Sequence, residues 1–237
     1  MGNIITENTL LYGSYAVNLL AAEKNIISAN YCRYQNHRSV YTAAACWENT
    51  IVGNQFLDNS SSAVVMGYGS CHNLVAFNTC KNEITAHGEA SINITTGSSY
   101  NVVQGNKIYA GHNYGVYMAC DVIGNKIIDN EVENYYLCGI ALENDLIETR
   151  PTHAVYSRPN YAAPPVGSQW SFNDSTGNII KGNTIGAAYT GRNVCAIYLA
   201  QIDSDGSTSL TNNTVQGNIV NSGDQLAYNL MLYSDIE

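Results

Sequence analysis

An all-β solenoid is the fold class this sequence predicts. Three observations carry it: a short phrase recurs eight times in 237 residues, a strand-like segment follows each copy, and no stretch spaces its apolar residues as a helix does. The phrase is Asn, two residues of which the second is Ile or Val, two free residues, then Asn. It begins at Asn3, Asn25, Asn49, Asn73, Asn101, Asn125, Asn178 and Asn213. The closing asparagines are Asn8, Asn30, Asn54, Asn78, Asn106, Asn130, Asn183 and Asn218, at steps of 22, 24, 24, 28, 24, 53 and 35. A base period of 24 with three insertions follows.

Each repeat supplies three strands. The first centres on the column Ile5, Ile27, Ile51, Val75, Val103, Ile127, Ile180 and Val215. The second centres on Leu10, Cys32, Phe56, Cys80, Ile108, Val132, Ile185 and Val220. The third reads AVNLL, SVYTA, AVVMG, SINIT, GVYMA, GIALE, AIYLA and YNLML, alternating inward and outward residues. Coils stacked about 4.8 Å apart set identical positions above one another. Stacked asparagines at a tight bend hydrogen-bond to each other and to the backbone, and β-branched side chains stack well inside. A leucine-rich repeat would need an L-x-x-L-x-L signature and helices, and neither is present.

Composition narrows the partners. Charged residues are only 12%, and 30 asparagines stand where helix formers would be expected, so a helical bundle is disfavoured. Net charge is −9 with no basic run, which argues against nucleic acid and against an anionic membrane surface. No apolar run approaches the length of a membrane span, and the N-terminus lacks a secretory pattern. Seven cysteines show no zinc or redox spacing and read as buried free thiols made in a reducing compartment. No cofactor motif and no metal-ligand pattern is found.

The pattern resembles right-handed parallel β-helices of the pectate-lyase-like kind, phage tailspike depolymerases above all, and periplasmic repeat proteins built from the same coil. The resemblance implies one β-helix domain, 1–237, of about eight coils with an inserted loop at 146–177. It also implies action on a polysaccharide, although the fold carries hydrolases, lyases, epimerases and plain adhesins. Neither end leaves room for a cap, so the chain is expected to be part of a longer protein or of an oligomer. The tailspike likeness implies a homotrimer in a phage virion, assembled in a bacterial cytoplasm and acting outside it on a bacterial surface polysaccharide.

The candidate site lies on the outer face of the third strand. One outward column runs Leu19, Tyr41, Val65, Asn93, Tyr117, Ala141, Tyr198, Asn229. The next holds Glu143 among Ala119 and Ala200, and the next holds Asp121 and Asp145 in adjacent coils. Two carboxylates one strand spacing apart do not both ionise cheaply, and an acid beside a base is what glycoside hydrolysis needs. Asp121, Asp145 and Glu143 are therefore the candidate catalytic residues, with Tyr117 and Tyr198 flanking. The inserted loop brings Arg150, His153, Tyr156, Arg158 and Trp170, suited to hold an anionic sugar. A lyase or epimerase using Arg150, His153, Tyr156 and Arg158 on a uronate is the chemical alternative. A non-catalytic receptor-binding β-helix with solvated carboxylates is the bland one. The other histidines, His37, His72, His87 and His112, read as surface residues.

Overall fold

The computed structural model describes residues 2–82, 90–144, 175–188, 195–201, 210–221 and 228–234. They form three parallel sheets of eight strands, each coil giving one strand to each sheet. Sheet A comprises β1 (Ile4–Thr6), β4 (Ile26–Ser28), β7 (Thr50–Val52), β10 (Leu74–Ala76), β13 (Val102–Gln104), β16 (Lys126–Ile128), β19 (Ile179–Lys181) and β22 (Thr214–Gln216). Sheet B comprises β2 (Thr9–Leu11), β5 (Tyr31–Arg33), β8 (Gln55–Leu57), β11 (Thr79–Lys81), β14 (Lys107–Tyr109), β17 (Glu131–Glu133), β20 (Thr184–Ile185) and β23 (Ile219–Val220). Sheet C comprises β3 (Tyr15–Leu20), β6 (Arg38–Ala43), β9 (Val64–Met66), β12 (Ala90–Thr95), β15 (Tyr114–Ala119), β18 (Cys138–Asn144), β21 (Cys195–Gln201) and β24 (Tyr228–Ser234). Among the described residues no helix is long and apolar enough to cross a membrane.

The two bends that flank sheet A explain the recurring asparagines. The residue before the closing Asn is left-handed in every coil: Glu7, Ala29, Gly53, Phe77, Gly105, Asp129, Gly182 and Gly217. Lys24, Glu48, His72, Tyr100, Gly124, Gly177 and Asn212 do the same before the opening Asn. An L side chain costs about 1–2 kcal/mol in that conformation. The asparagine that follows offsets it. The Asn78 side chain donates to Asn106 Oδ1 at 3.0 Å and to the Ile51 carbonyl at 2.9 Å, while its backbone N–H donates to the same Asn106 Oδ1 at 2.9 Å. The same pattern climbs both columns, so the amides are satisfied where water is excluded.

Between the ladders lies the core. The Ile/Val column of sheet A and the Leu10-to-Val220 column of sheet B face the inward residues of sheet C, among them Ile92, Ile94, Val116, Met118, Ile140 and Leu142. A third polar column, not foreseen, runs through the bend from sheet B to sheet C. Gly13 N–H donates to Gln35 Oε1, Gln35 N–H to Asn59 Oδ1, and Asn59 N–H to Asn82 Oδ1. Asn82 in turn bonds the ring nitrogen Nε2 of His112. His112 is therefore buried and not a surface residue, because it ends this column. His87 lies outside the described residues.

Sheet C departs from simple alternation at its first corner. Its ladder pairs Tyr114 with Cys138 and then Val116 with Ile140, passing over Gly115 and Gly139. The same position is passed over in other coils, where the small residues Ala16, Ser39, Ser91 and Ala196 stand, and in the last coil, where Asn229 stands. A Cβ on Gly115 would meet Val132 Cγ1 and, at 2.6 Å, the carbonyl oxygen of Gly139. Gly115→Ala is therefore expected to destabilise the chain by about 2 kcal/mol, read as a lower urea midpoint with an unchanged slope.

Two register assignments are corrected. Tyr41 pairs with Asn18 and not with Leu19, and Tyr198 pairs with Met231 and not with Asn229. The cause is turn length. Three residues separate β2 from β3 and four separate β5 from β6, so an offset counted from the asparagines drifts before it reaches sheet C.

An aromatic ladder runs along one bend. Trp47 lies 5.1 Å from His72, and His72 lies 5.3 Å from Tyr100, centroid to centroid. It ends over Gly124, where an added Cβ would stand 2.7 Å from the Tyr100 ring. Ring faces that lie on one another present mainly edges outward, so this ladder supports the coil and offers little platform for sugar faces.

Candidate functional site

The outer wall of sheet C is built around a buried carboxylate. Glu143 pairs in register with Ala119 on one side and Ala200 on the other. Both neighbours are too small to fill the space above them, and two tyrosines from β15 occupy it. The Tyr114 hydroxyl donates to Glu143 Oε1 at 3.1 Å, and the Tyr117 hydroxyl donates to Oε2 at 2.7 Å. Their rings stack at 4.7 Å with an interplanar angle of 22°. The carboxylate is 7% exposed. Both its oxygens accept, which is the hydrogen-bonding mode of the ionised form.

Beside it lies an apolar patch separate from the interior core. Cys138, Ala141 and Cys195 are buried there, with Tyr114, Tyr117, Leu137, Tyr198 and Met231 packed around them. Tyr117 and Tyr198 are thus on the wall as expected, one on each side of Ala141. Tyr114 was missed by the sequence reading. It lies three residues before Tyr117, a spacing that simple alternation sends to the opposite face. The passed-over Gly115 returns it to the same face as Tyr117.

Asp121 occupies a different setting from the one its column implies. β15 ends at Ala119, and Cys120 and Asp121 are both left-handed, with φ of 66° and 61°. Asp121 therefore belongs to the turn leaving the wall, half-buried, and not to the strand itself. Asp145, Arg150, His153, Tyr156, Arg158 and Trp170 lie outside the described residues. Among the described residues no three His, Cys, Asp or Glu side chains gather as a metal site needs.

These geometries are those of a known architecture. The chain is a parallel β-helix. It matches the A-module of the mannuronan C-5 epimerase of Azotobacter vinelandii with a TM-score of 0.68 and 16% identity, over 100% of this chain and 58% of that one. A double mutant of the periplasmic alginate epimerase AlgG matches at 0.65 and 16% identity, over 92% of this chain and 46% of that one. Another structure of AlgG matches at 0.54 and 16%, over 96% and 44%. The β-helix thus spans about half the length of these structures, and at such identity the likeness is one of fold. Residues 1–73 match the family model described as periplasmic copper-binding protein (NosD). No curated protein sequence matches the chain.

The electrostatics of the β-helix wall set what its phenols can do. Burial first, and then the charge of Glu143, hold Tyr114 and Tyr117 well above the ordinary phenol range. Both remain neutral donors far into alkaline solution. Burial likewise pushes the Tyr135 phenol up, and it pushes the Cys32 and Cys80 thiols up to about 12. In each case the folded value exceeds the unfolded one. The stabilisation is then complete below the unfolded value and is lost as pH rises past it. The unfolded values are 9.0 for the thiols and 10.0 for the phenols. Stability is therefore expected to fall above about pH 9 as the thiols contribute, and more steeply above about pH 10 as the phenols join them. The loss is at most roughly 1.4 kcal/mol per pH unit for each fully buried group, and less for the partly exposed Tyr114. Urea midpoints measured from pH 7 to 11 would show it, and a flat profile would contradict the burial of these groups.

Proposed function

We propose that the outer wall of sheet C processes an acidic polysaccharide by moving the proton beside a uronate carboxylate, as an epimerase or lyase does. The observation that carries this reading is the Tyr117–Glu143 hydrogen bond at 2.7 Å. A phenol held neutral is too weak an acid to protonate a glycosidic oxygen well. It is suited to a relay. The Tyr117 oxygen takes the sugar proton while its own proton passes to Glu143 Oε2, so no buried phenolate forms. The electron pair of the broken C–H bond stays on the sugar as an enolate. Epimerisation returns a proton to the other face of that carbon. Elimination instead expels the neighbouring glycosidic oxygen. Tyr114 fixes the second carboxylate oxygen and thereby the direction of the first.

The epimerases named above act, by their names, on mannuronan and alginate, which supports a uronate polymer as the substrate class. Arg150, His153, Tyr156 and Arg158 enter the reading from the sequence alone, as groups that neutralise the uronate carboxylate and serve the second face. Tyr198 and Trp170 enter as rings against the sugar. The bacterial surface is the proposed source of the polymer.

Glycosidic hydrolysis by Asp121, Asp145 and Glu143 is the second reading. It is favoured by the register that sets Glu143 beside the end of β15, from which Asp121 follows two residues later. A homotrimeric phage tailspike would be its setting, and sedimentation of the full chain tests that part.

Incubation with polymannuronate in D₂O separates the readings. Deuterium at C5 with inversion supports epimerisation, and a near-ultraviolet unsaturated product supports elimination. New reducing ends without unsaturation would replace both with hydrolysis. Binding with no product would leave a receptor-binding β-helix.

A further inference from the structure

Behind the tyrosines of the wall lies a feature that polysaccharide chemistry does not use. Cys138 opens β18 and Cys195 opens β21, and the two are register partners in adjacent coils. Their sulfurs approach to 2.8 Å. Both are buried, at 6% and 4% exposure. Of the described strand pairings, this is the one that sets a cysteine against a cysteine: Cys32 and Cys80 each pair with Phe56, and Cys71 bridges to Trp47. Parallel neighbours stand about 4.8 Å apart, inside the Cα separation that a disulfide spans.

We infer that Cys138 and Cys195 form an oxidation site that closes into a disulfide between two coils of the wall. The oxidant is a hydroperoxide small enough to reach a nearly covered sulfur. One sulfur, as thiolate, attacks the peroxide oxygen; the O–O bond breaks, and a sulfenic acid and hydroxide result. The sulfur of the partner cysteine, losing its proton, attacks the sulfenic sulfur and expels its oxygen as water. Two thiols and one hydrogen peroxide become one disulfide and two waters. Either sulfur can donate in the bond between them. Cys195 is the better first nucleophile, because its bond to Cys138 lowers its pKa and the same bond raises that of Cys138.

The consequence is local. The bond would tie together two coils separated by 57 residues of chain, a span that contains the entire 146–177 insertion. It would also fix the floor against which Tyr114 and Tyr117 pack. The inference does not depend on the substrate, so its failure would leave the proposed activity standing.

The test uses the full chain, reduced and then treated with equimolar hydrogen peroxide. Free thiols are alkylated after denaturation, and peptides are mapped by mass. The expected result is a cross-linked peptide containing positions 138 and 195, the loss of two hydrogen masses, and a melting temperature raised by several degrees that dithiothreitol reverses. Cys195→Ser and Cys138→Ser should each lose all three effects, and Cys71→Ser should keep them. Both cysteines fully alkylated in the peroxide-treated native chain would overturn the proposal, as would a different cross-link or a sulfinic acid on one cysteine alone. The mapping of the native chain decides the matter even where a serine variant fails to fold.

Discussion

Glu143→Gln is expected to lower C5 proton exchange on a polyuronate by about 10³-fold, within the range that a positioned acid–base group contributes. Glutamine keeps the size of the side chain and an oxygen that accepts one phenol. It cannot take the proton that the relay through Tyr117 delivers. The loss should therefore fall on kcat with KM little changed, since the side chain is buried beneath the tyrosines and does not itself grip the sugar. Tyr117→Phe should lose a similar factor, and the double variant little more than either single one, because the two act as one unit. Tyr114→Phe should cost less, since that phenol orients the carboxylate and does not touch the transferred proton. Unchanged exchange in Glu143→Gln, measured by deuterium uptake, would remove the relay.

Asn106→Ala is expected to destabilise the chain by about 4 kcal/mol. This side chain accepts from the Asn78 backbone and side-chain amides at 2.9 and 3.0 Å, and it donates to Asn130 Oδ1 and the Val75 carbonyl, both at 2.9 Å. Alanine leaves several of these groups short of a partner in a region without water, at roughly 1–3 kcal/mol for each one that stays unsatisfied. Asn218→Ala, at the part-buried end of the same column, should cost less than half as much. Equilibrium urea denaturation compares them. Equal losses at the two positions would mean that the ladder contributes by local turn formation and not by stacking.

The coil was legible from the sequence at most positions. The asparagine phrase marks where the chain bends, and Ile51, Val75 and Val103 mark which side faces in. Less legible was whatever depends on turn length. Leu19 and Asn229 were placed in the wrong columns because turns of unequal length shift one strand against another without disturbing the asparagines. His112 looked like a surface residue because its ladder mixes residue types (Gly13, Gln35, Asn59, Asn82 and then His112), so no regular repeat betrays it. Asp121 looked like a strand residue because sequence alignment continues a column past the point where the backbone turns left-handed.

What the sequence by itself determined is therefore the stacking. A position repeated at the period meets its own kind one coil above, and chemistry that favours self-association, asparagine on asparagine and Ile on Val, announces itself. Only the tertiary structure decided the heterotypic meetings. Tyr114 reaches Glu143 across 29 residues and Tyr117 reaches it across 26. Neither separation is a multiple of the period. An insertion lengthens the chain between two coils without changing their spacing, and a small residue at a corner turns a side chain to the other face. Both act in space and leave no period to read.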